Sequence, residues 1–210
     1  MAREFRKLDQ AHLDEAVMME MEAYPADGYS EADKQRVRKW MAKVMDGELP
    51  DRGYYGILED GVLLANMCLY TFDLNCRGHM IRAGGIGSVA TGLLHRKRGA
   101  ARDLLQAGLR HYRNSGVSMV TLYPFRPGFY RKMGFGHGAQ VHRYRIDPIN
   151  FPNRPGSGQL HRYTGTAEER RALLDCYERS GPSHQWHDFP PESFHGRRVF
   201  RRTVSGGVSA

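Results

Sequence analysis

The sequence predicts an α/β domain over residues 1–150, a mixed sheet with helices on its faces. Three observations carry this reading. Apolar residues recur at helical spacing in separate stretches near the N-terminus and again after residue 100. Runs rich in strand formers lie between and after them, bounded by turn dipeptides such as Asp60-Gly61. A proline- and glycine-rich stretch from Asp147 to Gly158 then closes the pattern. With 40% apolar and 10% aromatic residues in 210, the chain can bury a substantial core.

The elements follow in order. Glu4 to Leu8 alternates as a first strand, and Asp9 can cap a helix with the stripe Leu13, Ala16, Val17, Met21. Tyr24-Pro25-Ala26-Asp27-Gly28 breaks that helix. Ser30, with Asp33 three positions on, opens a second one whose stripe is Val37, Trp40, Met41, Val44 and which ends at Gly47. Its spacing makes Trp40 a packing residue. Tyr54 to Glu59 and Val62 to Thr71 flank Asp60-Gly61 as a hairpin. After a turn at Asn75-Cys76-Arg77-Gly78, Ile86 to Thr91 reads as a buried strand. A basic, glycine-centred turn leads from it to a helix with Ala101, Leu104, Leu105, Gly108 and Leu109 on one face, stopped by Asn114-Ser115-Gly116. Ser118 to Tyr123 is the next strand, Pro124 to Gly128 a rigid loop, Phe129 to Met133 a short helical piece, and Gln140 to Ile146 a final strand.

Beyond the boundary, residues 151–210 read as a linker, one helix and a tail, too short for a second domain. Thr166-Ala167-Glu168-Glu169 is a capping box for a helix with Leu173, Leu174 and Tyr177 inward. The last residues, ending Ser205-Gly206-Gly207-Val208-Ser209-Ala210, read as a frayed end.

Composition excludes several classes. Cys68, Cys76 and Cys176 form no CxxC pair and are odd in number, which suits a reducing compartment and gives no zinc signature. Without an 18-residue apolar run or an apolar signal core, the expected location is the cytoplasm, with no membrane partner. His184-Gln185-Trp186-His187, near Asp188 and His195, has ligand-like spacing but no second paired set, so no metal is assigned. The net charge of +8 is unevenly spread. Asp9 to Asp33 holds eight acidic residues and no Lys or Arg, whereas His95 to Arg145 holds eleven Lys or Arg against Asp103 alone. Such a split suits a phosphorylated ligand on one side and a cationic one on the other. It does not suit nucleic acid, because the acidic segment would repel a polyanion and the aromatic residues match no RNA-binding motif.

Two motifs carry chemistry. Strand, basic glycine turn and helix form a geometry that points backbone N–H groups and a positive dipole end at an anion. Here Arg96-Lys97-Arg98-Gly99-Ala100-Ala101 fits R/Q-x-x-G-x-G/A, the acyl-CoA signature of the GNAT superfamily of N-acetyltransferases. Gly99 allows close backbone approach to a pyrophosphate, and Ala100 and Ala101 keep side chains out of the way. Downstream, Phe129-Tyr130-Arg131-Lys132-Met133-Gly134-Phe135-Gly136 resembles the segment in which GNAT enzymes place a tyrosine near the thioester sulfur. A phenol suits reprotonation of a departing thiolate.

The resemblance is more specific still. Gly85-Ile86-Gly87-Ser88-Val89-Ala90, Leu94 to Gly99, Leu122 to Tyr130 and Met133 to Gly136 look like the N-terminal lobe of the enhanced intracellular survival (Eis-like) acetyltransferases, over about residues 1 to 150. The resemblance implies a twisted, mostly antiparallel GNAT sheet and acetyl-CoA as cosubstrate. It implies that Val89, Ala90 and Thr91 meet the pantetheine arm through their backbone, and that the turn Lys97, Arg98, Gly99, Ala100, Ala101, Arg102 cradles the pyrophosphate. Phe125 and Arg126 would flank the cofactor and Tyr130 would be the general acid. Relatives of that kind carry further lobes and a terminal carboxylate that acts as base. This chain stops where a second lobe would begin, Ala210 has no claim to that role, and Leu93 stands where many relatives have proline. The general base is therefore unassigned, a carboxylate of the Asp9–Asp33 segment acting through water being one candidate.

The expected activity is acetyl transfer to a primary amine, on an aminoglycoside, polyamine or lysine side chain, with a homo-oligomer compatible. The alternative is a catalytically silent CoA-binding module, since the completing lobes are missing.

Overall fold

The computed structural model describes residues 3–25, 30–138, 144–150, 162–180 and 188–189. Five strands lie side by side: β1 (Arg3–Lys7), β2 (Arg52–Glu59), β3 (Val62–Cys76), β4 (His79–Thr91) and β5 (Met119–Leu122). Neighbours run antiparallel except β4 and β5, which are parallel. The parallel pair is joined by helix α3 (Ala100–Asn114), the crossover that a parallel connection requires. Helices α1 (Leu13–Ala23) and α2 (Glu31–Met45) precede β2, and short α4 (Pro127–Arg131) follows β5. The sheet is thus mixed and mostly antiparallel, flanked by helices, as expected.

Local chemistry explains the boundaries. Asp9 does cap, but it caps a 3-10 turn over Gln10–His12, accepting from the Ala11 N–H at 3.1 Å, and α1 begins only at Leu13. Ser30 and Asp33 form the reciprocal capping box of α2. Both hairpin turns use left-handed residue pairs, Asp60 (φ 52°) with Gly61 (φ 80°) and Arg77 (φ 53°) with Gly78 (φ 83°). Their backbone twist matches that of the flanking strands.

Two cores sandwich the sheet. On one side α3 packs Leu104, Leu105, Ala107 and Tyr112 against Met67, Leu69 and Ile86. Close approach is obligatory there, for a Cβ on Gly108 would sit 2.3 Å from Met67 Cε. The buried stripe is Ala100, Leu104, Leu105, Ala107, Gly108, Tyr112, so Ala101 and Leu109 lie at its margins rather than at its centre. On the other side α1 and α2 bury Leu13, Ala16, Val17, Met41 and Val44 against Tyr54, Leu63 and Cys68. Trp40 belongs to this packing, edge-on to Tyr54 at 5.8 Å.

Two expectations change downstream. Tyr144 to Ile146 belong to no strand, and residues 139–143 lie outside the described residues, so the predicted last strand is not seen in its described part. Instead a two-residue strand, β6 (Asp188–Phe189), pairs with Asp73 and Leu74 of β3. It can do so because β2 ends its pairing at Arg52, opposite Tyr70, and leaves that edge of β3 open. Helix α5 (Ala167–Ser180) has the predicted capping box, with Glu169 Oε2 accepting from the Thr166 N–H at 3.1 Å and Thr166 Oγ1 from the Glu169 N–H at 3.2 Å. Leu173 and Leu174 are half-buried. The His184–His187 pair, His195, most of the linker and the C-terminal tail lie outside the described residues.

Candidate active site

The site begins with a strand that outruns its neighbour. β5 pairs only with Ala83–Ile86 of β4, while β4 continues to Thr91. Strand β5 stops where Pro124, which has no N–H to give, follows an exposed Tyr123. Beyond Ile86, the edge of β4 facing away from β3 therefore has no strand partner among the described residues. Val89, Ala90 and Thr91 lie on this segment; Ala90 and Thr91 keep register with Asn66 and Ala65 on the other side. One residue is inserted here: Asn66 opposes Ala90 but Cys68 opposes Gly87, and Ser88 within the bulge has φ 50°. Such bulges re-aim side chains beside functional sites.

Strand β4 delivers the chain into the basic turn. Lys97 (φ 63°) and Gly99 (φ 81°) are both left-handed, and Gly99 is the N-cap of α3. Glycine offers no capping side chain, so the first N–H groups of a 15-residue helix face outward without one. Ala100 packs into the core and Ala101 is half-buried. The basic side chains are less free than their count suggests. Arg98 pairs with Glu59 at 2.6 Å, Arg3 bridges Glu59 and Asp103, and Arg102 reaches Asp103 at 3.4 Å. The anion-facing capacity of the turn thus lies in its backbone, with Lys97 exposed beside it.

Tyr130 stands on α4, 4% exposed, with the rings of Phe125, Phe129 and Phe135 edge-on at 5.7, 5.2 and 6.0 Å. Burial pushes its phenol up to about 12. Phe125 is 64% exposed and Arg126 is exposed at the start of α4, so the loop presents both to solvent next to the tyrosine.

Helix α1 closes the arrangement from the other face of the sheet. The Tyr24 hydroxyl donates to the Val89 carbonyl at 3.2 Å, and the same phenol is raised to about 12 by burial, then by the nearby Glu20 and Tyr130. Glu20, one turn earlier, lies beside Ser88 of the bulge, and burial pushes its carboxyl above the ordinary value. The acidic segment is otherwise dispersed. Asp14 pairs with Arg38, Asp33 with Arg36 and the Ser30 cap, and Glu22 accepts from the Leu93 N–H at 3.3 Å. Asp27 lies outside the described residues.

Val89 and Tyr130 share one core beside the divergence of β4 and β5, and Ala90 and Thr91 follow on β4, while the Arg98 side chain turns away to Glu59. Glu20 was not singled out by the predicted stripe. Its signal was legible: counted from Leu13, the inward positions of α1 run Leu13, Ala16, Val17, Glu20, Tyr24, and a glutamate on that face is out of place.

Comparison with known proteins agrees with this architecture. A structure from Enterococcus faecalis described as a probable N-acyltransferase is 22% identical with TM-score 0.52, covering 64% of this chain and 32% of that one. A GCN5-related N-acetyltransferase from Ralstonia eutropha is 17% identical with TM-score 0.54, covering 69% and 99%. A predicted acetyltransferase from Clostridium acetobutylicum, solved with acetyl-CoA, is 15% identical with TM-score 0.55, covering 69% and 96%. At these identities the likeness is one of fold, and this chain spans about a third of the Enterococcus protein. No curated protein matches the chain. The model of the acetyltransferase (GNAT) domain matches residues 4–138, the whole stretch from β1 through the Tyr130 segment. The chain belongs to the GNAT acetyltransferase family.

Proposed function

We propose that this protein transfers an acetyl group from acetyl-CoA to a primary amine. The observation that carries the reading is the continuous run from the edge of β4 at Val89–Thr91, which has no strand partner among the described residues, into the N-terminus of α3 at Gly99, which has no side-chain cap. An extended thiol arm with amide groups can pair with a free strand edge as another strand would. A pyrophosphate at its end meets N–H groups and a positive dipole, with Lys97 alongside. Backbone of Val89, Ala90 and Thr91 holds the arm. The turn Lys97–Arg102 holds the phosphates, and Phe125 and Arg126 flank the ligand. Acetyl-CoA supplies the thioester carbonyl for attack by nitrogen. A backbone N–H of β4 polarises that carbonyl, and Tyr130, protonated throughout the physiological range, gives its proton to the departing sulfur.

The acceptor class is an aminoglycoside, polyamine or lysine-like amine, and the chain is read as an Eis-like N-terminal lobe over residues 1–150. Its match to about a third of the Enterococcus chain supports the idea of a lobe with larger relatives. Among the described residues no helix is long and apolar enough to cross a membrane and no cluster of metal-ligating side chains is found. The experiment is calorimetric titration with acetyl-CoA, followed by thiol-release assays on a panel of amines. Binding with amine-dependent release of CoA is expected. Binding without turnover on any amine favours a silent CoA-binding module, and absence of binding ends the proposal.

A further inference from the structure

Beneath α1, on the sheet face opposite α3, lies a group of buried polar atoms with no protein partner. Glu20 Oε2, the Tyr54 hydroxyl and both side-chain polar atoms of Asn66 make no hydrogen bond among the described residues. Tyr54 and Asn66 are fully buried. They share one face of the sheet. Tyr54 opposes Cys68, Cys68 opposes Gly87 next to the Ser88 bulge, and Asn66 lies two residues from Cys68 on the same side of β3. The Ser88 side chain is the hydrogen-bonding neighbour of both Glu20 and Tyr54, without a well-formed bond to Glu20 Oε2 or to the Tyr54 hydroxyl. Unpaired buried polar groups each cost free energy, so four such atoms on one face of the sheet are unusual in a region whose only task is packing.

We propose that Glu20 is the base of this site, receiving the acceptor's ammonium group at the β4 bulge and taking the proton that must leave before nitrogen can attack. This rests on the acetyltransferase reading above and assigns the group that reading lacks. Placement supports it. Glu20 is one helical turn from Tyr24, whose hydroxyl is fixed to Val89, the residue where the cofactor arm is expected. Tyr24 is in turn close enough to Tyr130 for their charges to interact, so base and acid flank the same end of β4.

The titratable groups facing Glu20 are phenols and a thiol: Tyr24 on its own helix, Tyr54 on β2, Cys68 and Tyr70 on β3. On the adjacent α2, Arg38 is engaged by Asp14 on the outer face. Arg52 on β2 reaches Cys68 and Tyr70 of the same group and is itself paired with Asp51. Burial raises the carboxyl, the direction that strengthens a carboxylate as a base.

The Glu20 carboxylate takes one proton from R–NH3+. The freed nitrogen pair forms the C–N bond to the acetyl carbon, and the C–S bond breaks. Tyr130 gives its proton to the sulfur and recovers one from the nitrogen as the amide forms. Glu20 then releases its proton to solvent.

The test compares wild type with Glu20→Gln and Ser88→Ala. It measures acetyl-CoA affinity by calorimetry, melting temperature, and kcat and KM across pH for spermidine, kanamycin and Nα-acetyl-lysine amide. Glu20→Gln should lose about 100-fold or more in kcat/KM, together with the acidic limb of its pH profile, at unchanged acetyl-CoA affinity. Ser88→Ala, which keeps the carboxylate, should shift that limb without abolishing it. A Glu20→Gln protein within three-fold of wild type, or one that changes KM alone and keeps the limb, overturns the assignment while the acetyltransferase reading stands. A wild type that binds no acetyl-CoA, or acetylates none of the panel, overturns both.

Discussion

Removing one hydroxyl from Tyr112 tests how the sheet is held upstream of the site. The Tyr112 ring lies across β4 so closely that a Cβ on Gly84 would stand 2.7 Å from it. Its Oη accepts from the Tyr70 N–H at 2.9 Å and lies 2.7 Å from both the Tyr70 and Gly85 carbonyls. Tyr70 and Gly85 are register partners across β3 and β4, so one side chain from α3 clips the two strands together three residues before the bulge. Tyr112→Phe keeps the ring in its slot and deletes only the oxygen. One proton serves two carbonyls, so the loss is about two hydrogen bonds. With the desolvation of the buried groups concerned, destabilisation of about 2–3 kcal/mol follows. For a chain of this size that is a fall in melting temperature of about 4–12 °C. Thermal denaturation by circular dichroism reads it directly. Because the β4 edge past Ile86 and the α3 N-terminus are untouched, acetyl-CoA affinity should stay within about three-fold, less than 1 kcal/mol. An unchanged melting temperature would refute the clip, and a large loss of affinity at full stability would refute the separation of clip and site.

Three further outcomes are expected. Tyr130→Phe should lower kcat by about 100-fold with little change in acetyl-CoA affinity, measured by steady-state kinetics and calorimetry; full activity would remove the phenol from the mechanism. Gly99→Val should weaken acetyl-CoA binding at least ten-fold by titration, since a β-branched residue resists φ 81° and its Cβ would lie 3.3 Å from Arg102 Nη2. Glu20 has a folded-state carboxyl raised by burial above its usual 4.5, so it favours the folded protein below that value and loses this contribution as pH rises through the raised one. Glu20→Gln should therefore match the wild-type melting temperature near pH 4 and exceed it at pH 8. Equal melting curves at both pH values would mean the carboxyl is not desolvated.

Much of this was legible in the chain. The Asp60-Gly61 and Arg77-Gly78 hairpins follow from residues that accept left-handed backbone, and the Ser30–Asp33 and Thr166–Glu169 caps from side chains that reach their own backbone. These are interactions within four residues, so sequence suffices. The α3 stripe is legible at Leu104, Leu105 and Gly108, but Ala100 and Ala101 are equally small, and only packing against β3 decides which is buried. On α1, Met21 packs partly buried against the core as its apolar character predicts, and Glu20 before it is also turned toward the sheet, which hydrophobicity alone does not indicate.

The elements, their caps and the glycine turn that opens α3 follow from neighbouring residues alone, because each depends on local spacing and backbone freedom. Tertiary packing set where those elements diverge, which arginines are already paired and which carboxylate of α1 faces the sheet. β4 outruns β5, Glu59 claims Arg98, and Glu20 meets Ser88 across 68 positions of chain. Those contacts depend on strand register and on the packing of α1 over the bulge, and no periodicity within a single element encodes them.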